Sequence, residues 1–146
     1  MDLVKRLLDE KGTTIYSVSP STTVWDAAST MAGDHIGAIL VIAEKRVMGI
    51  FSERDLLVRV ILAGRDPKTT PVGDVMSKDL VYVTPQASVG EAMAVMTERR
   101  CRHLPVLENG ELLGLVSIGD CTRAVSRDQD FTIHHLTEYI HGKYPG

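Results

Sequence analysis

At 146 residues, with 44% hydrophobic and 24% charged residues, the chain has the make-up of an ordinary globular protein with enough length for a compact core. Its formal net charge of −3 at pH 7 offers no basic footprint for nucleic acid. No apolar run reaches the roughly 18 residues of a membrane span, and the opening "MDLVKRLLDEKG" lacks a signal peptide's uninterrupted apolar stretch, so the expected address is cytoplasmic.

In chain order, residues 1–11 mix charges into an apolar helical pattern and form a first helix. Residues 12–64 read as strand, helix, strand, strand, helix. The apolar stretch Ile15 to Val18 stops at Pro20, which cannot donate to a ladder. Val24, Ala27, Ala28 and Met31 then make a helical stripe, with Thr23 and Asp26 as a weak cap. "AILVIAEKRVMGIFS" is a hairpin, and a helix at about 53–62 closes the set. That helix carries Leu56, Leu57, Val58, Val60, Ile61 and Leu62, more apolar surface than one stripe needs, so a homodimer contact through Leu57, Val60 and Ile61 is expected. Residues 65–76 are punctuated by Gly and Pro and serve as a linker.

Residues 77–126 then repeat the order: a strand from Leu80 to Val83 ending at Pro85, and a helix with Val89, Ala92, Met93 and Met96 behind a Ser88–Glu91 capping box. The hairpin "HLPVLENGELLGLVS" follows, turning at Asn109-Gly110, before a helix at about 118–125. Residues 127–146 supply a terminal helix and tail in which Ile133, Leu136 and Ile140 share one face. Cys101 and Cys121 belong to no CxxC pair and are expected to be reduced and partly buried.

The repeat is gapless. Shifting the chain by 65 residues places 15–60 on 80–125, and ten of these 46 positions are identical, from Val18/Val83 to Val60/Val125. The copies end in "GIFSERD" (49–55) and "GLVSIGD" (114–120), one pattern of Gly, two apolar residues, Ser, two variable residues and Asp.

Two copies of this kind, each with Ser/Thr-Pro after its first strand (Ser19-Pro20 and Thr84-Pro85) and Gly-apolar-apolar-Ser-x-x-Asp at its end, resemble a tandem pair of cystathionine-β-synthase (CBS) domains over about residues 12–126. The resemblance implies an α/β (α+β) fold of two β-α-β-β-α repeats packed with pseudo-twofold symmetry, plus short terminal helices. It also implies a stand-alone module that takes an adenosine-containing ligand in clefts between the copies. AMP, ADP, ATP or NAD(H) are the candidates, with S-adenosylmethionine behind them.

The resemblance makes Asp55 and Asp120 ribose-binding positions and brings Ser52 and Ser117 to ribose or phosphate. Physical chemistry is compatible with this. A carboxylate in the first turn of a helix can accept both hydrogens of a diol, and a helix N-terminus favours phosphate. The same Ser-x-x-Asp segments are also capping boxes, so a purely structural joint is the competing reading. Gly49 and Gly114 leave room for a ligand to approach the strand.

Basic residues of the family often meet the phosphate where Arg102 and His103 stand; the first copy has Gly37 and Ala38 there, while its Arg54 has Gly119 as its counterpart in the second. The two sites are therefore expected to differ. Adenine is expected beside the first strand of a copy, at Ile15 and Tyr16 or at Leu80, Val81 and Tyr82.

His134, His135 and His141 lack metal-ligand spacing, so no metal is expected. No P-loop, HExxH, CxxC or nucleophile elbow is present, and "LVSIG" lacks the Gly two residues before its Ser. The expected function is accordingly a non-enzymatic adenine-nucleotide sensor acting on an unknown protein target. A ligand-free protein–protein interaction module is the alternative.

Overall fold

The 65-residue period recurs in the backbone of the computed structural model, which describes residues 3–12 and 15–128. Strands β2 (Ala38–Ala43) and β3 (Arg46–Ser52) form an antiparallel hairpin; β4 (His103–Glu108) and β5 (Glu111–Ser117) form its counterpart. Ala38 faces Ser52 as His103 faces Ser117, and the register slips at Val41/Ile42 as it does at Val106/Leu107. Both two-residue turns are left-handed. Asn109-Gly110 has φ of 55° and 79°, as such residues favour, and Glu44-Lys45 takes the same turn at 51° and 67° without a glycine.

Helices α2 (Val24–Asp34) and α4 (Val89–Arg99) keep the same spacing. Thr23 Oγ1 accepts the Asp26 N–H and Ser88 Oγ accepts the Glu91 N–H, satisfying one free donor in each first turn. His35 and Arg100, both at φ 55°, end the two helices in the left-handed region.

Two compact units result. The first covers Thr14–Val81, with β1 (Ser17–Val18) parallel to β2 in a three-stranded sheet ordered β1-β2-β3. Its core joins Val24, Ala27 and Met31 of α2 to Ile39, Val41 and Phe51 of the sheet and to Val60, Val72, Val75 and Met76. Each large apolar side chain buried in this way contributes about 1.5–3 kcal/mol.

The second unit holds the described residues of Met1–Thr13 and Tyr82–Gly146, with helix α1 (Val4–Lys11) set against β5 and α5 (Ile118–Asp128). The expected strand from Leu80 to Val83 is reduced to one bridge, Val83 to Val106, the counterpart of Val18 to Val41 in the first unit. Likewise β1 is limited to Ser17–Val18, although Tyr16 O still accepts the Leu40 N–H at 3.4 Å.

A second shift, of 68 residues, relates the segments that brace the units. The N–H of Val72 donates to Thr22 O (2.7 Å) and that of Gly73 to Pro20 O (2.9 Å). In the second unit Val4 donates to Ala87 O (2.8 Å) and Lys5 to Pro85 O (3.0 Å). Each repeat is thus packed by the segment that precedes the other one in sequence. Val72, Val75 and Met76 are buried in the first unit as Val4, Leu7 and Leu8 are in the second.

The helix after β3 differs from its copy. Glu53–Asp55 form an α-helical turn that widens into a π-helical stretch, Leu56–Ile61; together they are α3, and α5 stays α-helical. Val60 is fully buried in the core, which removes it from the expected dimer face; Leu57, Val58, Ile61 and Leu62 are exposed. Of the three residues expected to share that face, Leu57 and Ile61 remain available at the surface. No helix among the described residues is long and apolar enough to cross a membrane. His134, His135, His141 and the terminal stripe of Ile133, Leu136 and Ile140 lie outside the described residues.

Candidate functional site

In each unit the second hairpin strand runs into a helix through the Ser-x-x-Asp turn, and the turn closes by reciprocal hydrogen bonds. Ser52 N–H donates to Asp55 Oδ2 (3.0 Å) while Ser52 Oγ accepts the Asp55 N–H (3.2 Å). Ser117 and Asp120 do the same at 2.9 and 3.1 Å. The capping-box reading is therefore correct for both, and it leaves each carboxylate side chain only 10% exposed at the turn.

The start of the first hairpin strand is tied to the same place. Gly37 O accepts the Glu53 N–H (3.0 Å), and Arg102 O accepts the Ile118 N–H (2.8 Å). Gly37, Ala38, Ser52, Arg54 and Asp55 are thereby gathered at one end of the first sheet, as Arg102, His103, Ser117 and Asp120 are in the second unit. Parallel pairing of Ser17 with Leu40 leads Tyr16 and Ile15 back toward this end of β2. Tyr16 is exposed and Ile15 half-buried. Leu80 and Val81 fall in the first unit, half-buried and outside any strand, whereas the exposed Tyr82 falls in the second. Arg54 and Arg102 are exposed; His103 is half-buried.

The two glycines do not open a path for a ligand. A Cβ on Gly49 would lie 2.7 Å from both Met76 Sδ and Ser77 O, and one on Gly114 would lie 2.7 Å from Leu8 Cδ2. Each glycine admits the chain's own bracing segment against the hairpin, which corrects the ligand-approach expectation.

That bracing supplies residues no local motif announced. Ser77 Oγ donates to Asp55 Oδ1 and Oδ2 (3.1 and 3.3 Å), and Arg59 Nε lies 3.6 Å from Oδ1. The Arg59 guanidinium is itself held by Met76 O at 3.0 Å. At Asp120 the partners are cations: Lys11 Nζ meets Oδ2 at 2.8 Å and Arg123 meets Oδ1 at 2.6 Å. Lys11 Nζ also donates to Leu115 O at 2.8 Å. Burial pushes the Asp120 carboxyl up, but the Lys11 hydrogen bond, the Ser117 N–H and the Lys11 charge together hold it below the ordinary carboxylate range. The sequence offered a hint of Arg59 and Arg123, which stand four and three residues after their carboxylates. It offered none of Lys11 or Ser77.

Beside the second turn, Leu7, Lys11, Asp120, Arg123 and Arg127 help line a depression of about 470 Å³ between α1 and α5. Arg127 is paired with Glu10 across it at 2.6 Å. Cys121 is buried next to this turn, and burial followed by the Asp120 carboxylate pushes its thiol up, away from reactive thiolate. Burial likewise raises the thiol of the half-buried Cys101. No group of His, Cys, Asp and Glu among the described residues is arranged to hold a metal ion.

Comparison with known proteins agrees with this architecture. The profile of the CBS domain family matches residues 12–61 and 72–127. The CBS domain-containing protein CBSX3, mitochondrial, of Arabidopsis thaliana is 40% identical over 127 residues; the match takes in 84% of this chain and 62% of that protein, so the chain spans less than two-thirds of that relative's length. A solved protein with CBS domains from Burkholderia ambifaria is 44% identical with a TM-score of 0.84, over 87% of this chain and 96% of that one. The CBS domain protein PAE2072 from Pyrobaculum aerophilum, solved in complex with AMP, is 26% identical with a TM-score of 0.71, over 81% and 88% of the two chains. With two matched copies, two hairpins in one register and two closing Ser-x-x-Asp turns, the chain belongs to the CBS domain family.

Proposed function

We propose that this chain is a regulatory module without catalytic chemistry of its own, which binds an adenosine-containing ligand at its Ser52–Asp55 and Ser117–Asp120 turns. One observation carries the reading: the same carboxylate is built twice at a strand-to-helix turn, held by a backbone N–H and still reached by solvent. A carboxylate has room for about four donated hydrogen bonds, so one tied to its own turn retains capacity for a ribose diol. The AMP complex of the Pyrobaculum protein supports this ligand class.

In this reading Ser52 and Ser117 contact ribose or phosphate. Arg102 and His103 favour phosphate at the second turn, and the exposed Arg54 is the phosphate-side candidate at the first. Ile15, Tyr16, Leu80, Val81 and Tyr82 are the adenine-side candidates. Ligand-dependent change would be read by a second copy through the exposed Leu57, Val58, Ile61 and Leu62, or by a protein target.

A panel of AMP, ADP, ATP, NAD, NADH and S-adenosylmethionine in a thermal-shift assay tests the reading. A ligand at a hundredfold excess over Kd stabilises by about 2.7 kcal/mol. A rise in Tm with at least one adenosine compound is expected. No shift with any of them at millimolar concentration would favour the ligand-free interaction module, in which both turns serve only as caps.

A further inference from the structure

We infer that Lys11 is a latch on the second turn: its ammonium occupies Asp120 Oδ2, the acceptor a ribose diol needs, so nucleotide fills the Ser52–Asp55 turn first. The inference rests on reading both turns as nucleotide sites, and it comes from what already surrounds each carboxylate.

Asp55 is met by a neutral hydroxyl, Ser77 Oγ at 3.1 and 3.3 Å. The cation beside it stands off at 3.6 Å and is committed to Met76 O. A diol arriving there replaces one neutral donor by another. At Asp120 the diol must displace an ammonium at 2.8 Å, a charge-assisted contact and therefore a stronger one. Arg123 also touches this carboxylate, but its side chain is 72% exposed and can swing into water at little cost. Lys11, 38% exposed, is the more restrained of the two. Its ammonium is held a second time by Leu115 O at 2.8 Å, and its helix is anchored through buried Val4, Leu7 and Leu8.

A lysine 109 positions before the carboxylate thus makes the two turns unequal, and it does so from α1, outside the repeat that contains the turn. Movement of α1 would unlatch the second turn, and nucleotide bound at Asp120 would in turn release Lys11.

Calorimetric titration of the full chain with AMP tests this. An Asp55→Asn background isolates the Asp120 turn. Adding Lys11→Met, which keeps the aliphatic stem, should tighten AMP at that turn roughly fivefold. Adding Lys11→Arg, which keeps the cation, should leave it within about twofold of the background. Should the Met variant melt early, Lys11→Gln replaces it. Unchanged or weakened AMP binding in the neutral variants overturns the latch, because Lys11 would then be a bystander or a phosphate contact. AMP binding in the parent that is indifferent to both Asp55→Asn and Asp120→Asn, or no AMP binding in any variant, instead overturns the nucleotide reading, and the latch falls with it.

Discussion

Lys11 Nζ lies 2.8 Å from Asp120 Oδ2, joining the first helix of the chain to a turn 109 residues later. The contact has a pH signature. Because the Asp120 carboxyl is held low in the fold, the unfolded chain takes up that proton more readily. The resulting stability is complete above the unfolded value near 4 and is lost as pH falls through the lower folded value. Lys11→Met should cost about 0.5–1 kcal/mol at pH 7, since the lysine is partly solvated, and should lose less further stability than the parent between about pH 5 and pH 3. Denaturation curves at these pH values check it; equal acid-side losses in both proteins would contradict the assignment.

The bracing segments make different demands on the two glycines. At Gly49 an added methyl meets the Ser77 carbonyl as well as Met76, and backbone cannot step aside. At Gly114 it meets the tip of Leu8, which can change rotamer. Gly49→Ala should cost about 1–3 kcal/mol and Gly114→Ala clearly less. Urea unfolding midpoints in which Gly114→Ala is the more damaging variant would refute this ranking.

Two neighbouring apolar residues of α3 have opposite surroundings. Val60 is sealed in the first unit's core, so Val60→Asp should prevent that unit from folding, as an unpaired buried charge does. Ile61 is exposed, and Ile61→Asp should leave the melting temperature nearly unchanged while weakening any homodimer made through Leu57, Val58 and Leu62. Light scattering and thermal melts on the pair decide the matter. A folded Val60→Asp variant would show that Val60 is not sealed in the core.

Arg102 distinguishes phosphate from nucleoside. Its carbonyl is committed to the Ile118 N–H, and its side chain is exposed beside the Asp120 turn. Arg102→Ala should weaken AMP by about 1.5–3 kcal/mol at that turn and adenosine hardly at all. Equal losses for the two ligands would remove Arg102 from phosphate recognition.

The repeat itself was legible in the sequence, because hairpin register and helix stripes depend on local alternation and spacing, which a 65-residue shift preserves from Val18/Val83 to Val60/Val125. The Ser-x-x-Asp turns were legible for the same reason: a capping box is complete within four residues. The bracing exchange was not. Val4, Leu7 and Leu8 match Val72, Val75 and Met76 at a shift of 68, a second period out of step with the one at 65. Lys11 and Ser77 follow from that exchange, as their carboxylate partners lie 109 and 22 residues away. Gly49 and Gly114 looked like openings for a ligand because a close approach leaves the same mark in sequence whichever group makes it.

Whether the two turns bind nucleotide or serve only as caps is decided by titrating single Asp55→Asn and Asp120→Asn variants with AMP in a calorimeter. Asn preserves shape and one acceptor, so loss of cap geometry should cost about 1 kcal/mol or less. A ribose diol would lose its charged acceptor, and every 1.4 kcal/mol is a factor of ten in Kd. Nucleotide binding at the turns predicts at least about a tenfold loss of AMP affinity at the altered turn, near-parent affinity at the other, and a small change in the ligand-free melting temperature. Variants that melt several degrees lower yet bind AMP as the parent does would contradict it.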